Sequence, residues 1–282
     1  MAIDKAVDSA ALEAALKASA DAIRGKTGDT ASIPWDADKG FAEAIAGIQS
    51  GGGGDNEELI EYINGTGRAF TVPNGCTAIR NYMFYQSGLR EISMPSSIET
   101  IGKYAFYNCN FLALASLPSA LTSIGEQAFY ACIYKLTLTS LPDGLTSIGN
   151  EAFGSCSYLA LTSLPSGLTS IGTKVFQNCP ALALTSLPSA LTSIGEQAFY
   201  GCTNIGITTI PGEVTKIGSL AFYNCTGLSE ITFEGTPSSI ASNAFSTCNN
   251  LLIINVPWAE DEVSGAPWGA TNATINYNYT GS

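Results

Sequence analysis

Eight cysteines are the residues of this chain with the most chemistry open to them, and seven recur at one repeat position. These are Cys109, Cys132, Cys156, Cys179, Cys202, Cys225 and Cys248, with Cys76 ahead of them. Such a series could make a disulfide framework, a thiolate metal site or a column of buried thiols. A ladder of seven equivalent positions, with no secretory leader recognisable in Met1 to Arg24, argues against disulfides. Thiolate metal sites want two ligands close in sequence, often with histidine. The chain has no such pair and no histidine. Free cysteine packs well as a small apolar side chain, so the seven are read as structural, with no metal and no cofactor.

The missing histidine also removes the usual triads and the usual base near neutral pH. Carboxylate pairs could still hydrolyse glycosides. The acids of the repeat region are dispersed, however: Glu91, Glu99, Glu126, Asp143, Glu151, Glu196, Glu213, Glu230 and Glu234. Glu126 and Glu196 are repeat equivalents three coils apart, roughly 14 Å by strand spacing, too far to share one substrate bond. No catalytic residue is assigned. The run Glu260-Asp261-Glu262 could attract Ca²⁺ but reads more simply as a solvated acidic loop.

Tyrosines offer binding chemistry. The residue after each repeat phenylalanine is Tyr85, Tyr107, Tyr130, Gly154, Gln177, Tyr200 and Tyr223 over the first seven coils, with Tyr104, Tyr134 and Tyr158 elsewhere. Rigid, amphipathic rings in a column would suit stacking on sugars or anchoring a protein. The same rings could instead seal one edge of the fold. Tyr85, Tyr107, Tyr130, Tyr200 and Tyr223 are the candidate binding residues.

The elements that must position these residues are repeats. Phenylalanines at 84, 106, 129, 153, 176, 199, 222 and 245 step by 22 to 24 residues. Residues 116–130 and 186–200 share the fifteen-residue string SLPSALTSIGEQAFY. One coil cannot bury its own Phe, Ile and Leu, but a stack can. Ala, Phe and Cys at i, i+1 and i+4 predict a single helical turn per coil. The Leu-Pro and Leu-Thr-Ser-Ile stretches predict short strands, and the glycine after Ile a turn into the helical segment. Eight coils would be about 40 Å long at strand spacing. The net charge of −12, with basic residues scattered, excludes a nucleic-acid or anionic-membrane surface. No apolar run reaches the roughly 18 residues of a membrane span, so membrane insertion is not expected.

The pattern Ile-Gly-x-x-Ala-Phe-x-x-Cys-x-x-Leu…Leu-Pro…Leu-Thr-Ser, over residues 71–257, resembles the BspA-type (Treponema-type) leucine-rich repeats of bacterial surface proteins and phage-encoded proteins. That resemblance implies a right-handed solenoid used for adhesion or protein recognition, with no catalytic residues. The expected fold is therefore an α/β repeat, a solenoid of about eight coils.

The ends follow other rules. Residues 1–50 read as two short helices, one to about Arg24 bearing Leu12, Leu16 and Ile23, and one bearing Phe41, Ile45 and Ile48. Glycines 51–54 form a linker. Residues 55–78 are assigned to an N-terminal cap, 79–257 to the solenoid and 258–282 to a β cap with a strand within 272–280. The stretches 20–28 and 40–48 resemble an N-terminal segment of tail and tail-fibre-like proteins of phages infecting gut Firmicutes, which implies an attachment or oligomerisation module with a tail or baseplate partner. The expectation is a non-catalytic, phage tail-associated receptor-binding protein for a cell-surface protein or glycan, made in the cytoplasm and carried on the virion. The alternative is a bacterial surface or secreted adhesin of the same repeat family.

Overall fold

The computed structural model describes residues 69–281 apart from Pro73. The proposed helices, attachment segment and linker of residues 1–54, and most of the 55–78 cap, lie outside the described residues. The rest is a stack of coils held by parallel pairing on more than one side.

One side carries the Ser-Ile dipeptides and their variants. Its strands are β2 (Ala78–Ile79), β4 (Thr100–Ile101), β5 (Ser123–Ile124) and β6 (Ser147–Ile148), then β7 (Ser170–Ile171), β8 (Ser193–Ile194), β10 (Lys216–Ile217) and β12 (Ser239–Ile240). They pair parallel in the orders β2-β4-β5-β6 and β7-β8-β10-β12, with Ile over Ile in every rung. Threonine hydroxyls reinforce the stack: Thr122, Thr146, Thr192 and Thr215 each donate to a carbonyl of the preceding coil. The break between β6 and β7 is real in the ladder. Amides of Gly125, Gly149, Gly195 and Gly218 donate to the preceding coil's isoleucine carbonyl, and none joins Gly172 to Ile148 among the described residues.

A second side pairs β1 (Ala69–Thr71) with β3 (Glu91–Ser93) at one end. At the other it orders β9 (Thr209–Ile210), β11 (Glu230–Phe233), β13 (Ile253–Asn255) and β14 (Thr274–Asn276) side by side. Between them the backbones of the Leu-x-Leu stretches are joined by the bridges Glu91↔Ala113 and Leu114↔Leu136 and by single amide bonds such as Ala160 to Leu138 and Ala183 to Leu161.

The third side corrects the expected helical turn. Among the described residues there is no helix, so the architecture is an all-β-and-turn solenoid rather than an α/β repeat. Apart from Asn243 in the last coil, the residues two before and two after the phenylalanines take left-handed backbone conformations, for example Gln127 (φ 51°) and Ala131 (φ 56°) around Phe129. Such residues interrupt a right-handed helix. Their amides point along the stack instead: Gln127, Phe129 and Ala131 donate to Asn150, Ala152 and Gly154 of the next coil at 2.8 to 2.9 Å. Overlapping turns within the coil close the same segment, Tyr130 to Gln127 and Cys132 to Phe129. This geometry lets adjacent Ala128 and Phe129 both face inward, fully buried.

The glycine after isoleucine also has a different reason from the expected one. These glycines are not in the left-handed region. A Cβ on Gly125 would lie 2.6 Å from the Gly102 carbonyl carbon, and one on Gly149 2.4 Å from the Glu126 amide nitrogen. The glycines are there so that neighbouring coils can approach backbone to backbone.

The core is one column. Eight phenylalanine rings from Phe84 to Phe245 stack at centroid spacings of 5.1 to 5.8 Å, the widest between Phe153 and Phe176. At the C-terminal end the Phe245 amide donates to the Trp268 carbonyl, and the rings of Trp258, Trp268 and Phe233 close over the stack.

Candidate functional site

The seven repeat cysteines are buried and free, as is Cys76. Each thiol donates to the carbonyl of the phenylalanine one coil earlier: Cys109 to Phe84, Cys132 to Phe106, Cys156 to Phe129, Cys179 to Phe153, Cys202 to Phe176, Cys225 to Phe199 and Cys248 to Phe222, at 2.8 to 3.1 Å. Ser87 takes this position in the first coil, with its hydroxyl 3.4 Å from the Cys109 sulfur. Burial pushes the Cys109 and Cys179 thiols up from 9.0 to about 12 and Cys248 to about 11. Burial, with neighbouring thiols adding to it, holds Cys132, Cys156, Cys202 and Cys225 well above their ordinary value. A neutral, enclosed thiol is a poor nucleophile and a poor ligand. Among the described residues no group of three or more Cys, Asp or Glu side chains could hold a metal ion.

The five candidate tyrosines do not form one column. Tyr85, Tyr107 and Tyr130 stack at 4.9 and 5.2 Å, and Tyr200 stacks on Tyr223 at 4.5 Å. Gly154 and Gln177 separate the two sets. Tyr130 leans over Gly154, where an added Cβ would meet its ring at 2.8 Å. A second stack, Tyr82 on Tyr104 at 4.8 Å, lies beside the first and touches it edge-on through Tyr85 and Tyr107. The result is a patch of five half-buried rings: Tyr82, Tyr85, Tyr104, Tyr107 and Tyr130. Its rim is acidic. Burial raises the Tyr104 hydroxyl above 10.0, with Glu126 and Glu151 adding to it; burial raises Tyr107 too, with Tyr85, Tyr130 and Glu151 contributing. Glu126 pairs with Lys103 at 3.2 Å, and Glu151 accepts from Gln127 at 2.9 Å and faces Lys174 at 3.8 Å. These carboxylates are engaged in the stack.

The most exposed rings lie elsewhere, two residues after the cysteine in coils 2 to 4. Phe111, Tyr134 and Tyr158 are 48%, 53% and 55% exposed. Phe111 stacks on Tyr134 at 5.6 Å, and the Arg90 guanidinium sits over the Phe111 ring at 5.8 Å. Tyr134 and Tyr158 were visible in the sequence as extra aromatics, but Phe111 was missed. The signal was present, since three aromatics share one repeat position outside the core. Beside this ridge a groove of about 400 Å³ opens between coils 1 and 2, lined by Ile92, Met94, Leu114 and Leu117 and four serines. Here coil 1 carries Leu89…Ile92-x-Met94 and coil 2 Leu112-x-Leu114-x-x-Leu117, with Ile92, Met94 and Leu117 only partly buried, and the two coils are bridged at Glu91↔Ala113.

A stack of Phe, Ile and Leu columns, with a buried cysteine in every coil after the first, defines a repeat scaffold. The chain belongs to the BspA type leucine rich repeat region family, which matches it in six copies over residues 66–183 and 122–252. Among solved structures it is similar to a leucine rich cell surface protein from Faecalibacterium prausnitzii A2-165, at 26% identity and TM-score 0.55, over 68% of this chain and 64% of that one. It also resembles a leucine-rich repeat protein from Bacteroides ovatus ATCC 8483, at 24% identity and TM-score 0.52, over 74% and 60%. A third likeness is to the T. pallidum leucine rich repeat protein, at 31% identity and TM-score 0.49, over 58% and 79%. The chain thus spans less than two thirds of the first two structures. No curated protein matches it. The likeness of residues 1–50 to phage tail proteins falls outside both the matched span and the described residues.

Proposed function

We propose that this is a non-catalytic recognition protein of the bacterial cell-surface leucine-rich-repeat type, which adheres to a protein or glycan on another cell. The observation that carries the reading is the five-tyrosine patch of coils 1 to 3. Its rings are half-buried and locked by stacking, so little side-chain freedom is lost when a partner covers them. The description of the Faecalibacterium relative as a cell surface protein supports the location. No helix of the described residues is long and apolar enough to cross a membrane. The tail-associated role expected from residues 1–50 has no observation among the described residues that favours it over this reading.

The experiment is binding of the labelled full chain to epithelial cells and to immobilised mucin, beside Tyr107→Ala/Tyr130→Ala. Saturable binding that the double variant weakens at least about tenfold, or about 1.4 kcal/mol, is the expected result. Absence of saturable binding, or binding indifferent to both tyrosines, refutes the assignment of the patch.

A further inference from the structure

We infer that the ridge Arg90–Phe111–Tyr134–Lys135–Tyr158 is a second binding surface, and that its ligand is an acidic glycan, a chain of sugar rings bearing carboxylates. The inference rests on the reading of the chain as a recognition protein but concerns a different surface from the tyrosine patch.

Electrostatics separate the two surfaces. The chain carries −12 overall, and the tyrosine patch is rimmed by Glu126 and Glu151. The ridge is rimmed by cations. Lys103 and Lys174 are tied up with Glu126 and Glu151, whereas Arg90 and Lys135 form no ion pair with any described residue. Both are exposed. Lys135 and Tyr134 lie between Cys132 and Leu136, the segment whose one extra residue makes coil 3 the longest, with Phe129 and Phe153 spaced 24 apart, and both are exposed there. Acids are few here: residues 109–121 and 156–168 contain none and residues 132–145 only Asp143, while coil 1 adds the exposed Glu91 beside Arg90.

The rings add to this. Stacked rings with both faces covered, as Phe111 is by Arg90 and Tyr134, present their edges outward, and the ring quadrupole makes those edges positive. Tyr134 and Tyr158 do not stack on each other, which leaves ring faces open for the apolar side of a sugar. The surroundings are hydrogen-bonding rather than greasy, with Asn108, Asn110, Thr137 and Ser157 beside the ridge. The adjoining groove exposes Ser93, Ser96, Ser116 and Ser119. A protein partner usually seats apolar anchors in a dry pocket. This exposed, hydroxyl-rimmed, cation-flanked ridge suits a polyhydroxylated anion better.

The test is calorimetric titration of the full chain with hyaluronan oligosaccharides and with polysialic acid, using dextran as neutral control and poly-glutamate as anionic peptide control. At least one acidic glycan should bind with a dissociation constant of about 1 mM or tighter, dextran should not, and raised salt should weaken binding. Arg90→Gln/Lys135→Gln and, separately, Phe111→Ala/Tyr134→Ala should each lower the affinity about tenfold, about 1.4 kcal/mol. All four positions are exposed, and thermal unfolding checks that each variant is folded. The proposal falls if neither acidic glycan binds, if binding ignores both variants, or if poly-glutamate binds as tightly through the same residues. Cell binding that persists in these variants but is lost in Tyr107→Ala/Tyr130→Ala would overturn the ridge and leave the recognition function standing.

Discussion

Truncating one ring in the middle of the phenylalanine stack, Phe176→Ala, should be the most damaging single change in the solenoid. Phe176 is fully buried between Phe153 at 5.8 Å and Phe199 at 5.7 Å. Removing a buried phenylalanine costs about 3–5 kcal/mol in lost burial and residual cavity. Collapse of the neighbours would soften that cost, but here each neighbouring ring is held by a coil whose backbone is bonded along the stack. Phe176 itself donates to Ala198 at 2.9 Å and Phe153 to Val175 at 3.0 Å, so the cavity should stay open and the cost should lie in the upper half of the range. A cycle with Phe199→Ala isolates the ring-on-ring part, about 0.5–1.5 kcal/mol beyond burial. The assay is urea unfolding followed both by far-ultraviolet circular dichroism and by tryptophan fluorescence, since Trp258 and Trp268 report the C-terminal closure. A loss smaller than about 1.5 kcal/mol, below the 2–5 typical of Leu to Ala at a buried site, would refute the view that the stack is close-packed and rigid.

Two further outcomes follow from the backbone and the thiols. Ala131 holds φ 56° where Gly201 holds φ 72° at the equivalent position, so Ala131→Gly should stabilise by about 0.5–1 kcal/mol, left-handed strain relieved less glycine's entropy; a melting temperature that stays level or falls in differential scanning calorimetry contradicts this. Because the folded Cys179 thiol titrates at about 12 against 9.0, the unfolded chain loses its proton first, and stability present below pH 9 falls as pH rises toward 12 by about 1.4 kcal/mol per unit for each such thiol. Cys179→Ser should therefore shallow the drop in urea midpoint between pH 9 and 10, and an unchanged slope would show that this thiol is not kept neutral by burial.

What the sequence made legible is what repeats inward. Phe, Ile and Cys recur at fixed spacing because each occupies an identical slot in the column, so their burial follows from periodicity before any geometry is known. What it concealed is the local path of the chain between those slots. Ala and Cys at i and i+4 fit one helical face with Phe flanking at i+1, yet the same three also fit a segment that alternates turns and left-handed residues, and periodicity cannot separate them when the segment is only one turn long. The decision belongs to the amides, which find partners in the next coil, an option no single repeat displays. The glycine after isoleucine misleads for the same reason: its cause is a neighbouring backbone 2.4 to 2.6 Å from an imagined Cβ, not its own turn. Surface function is hidden differently. Tyr85, Tyr107 and Tyr130 stood out because they follow the phenylalanine register, whereas Phe111, Tyr134 and Tyr158 sit at a position that is Ala181, Asn204 and Gly227 in later coils. A column that breaks the repeat rule in only some coils contributes nothing uniform to the stack. Residues free to vary along the solenoid are where a repeat protein distinguishes one ligand from another, and the ridge position varies in this way just as the tyrosine register does where Gly154 and Gln177 interrupt it.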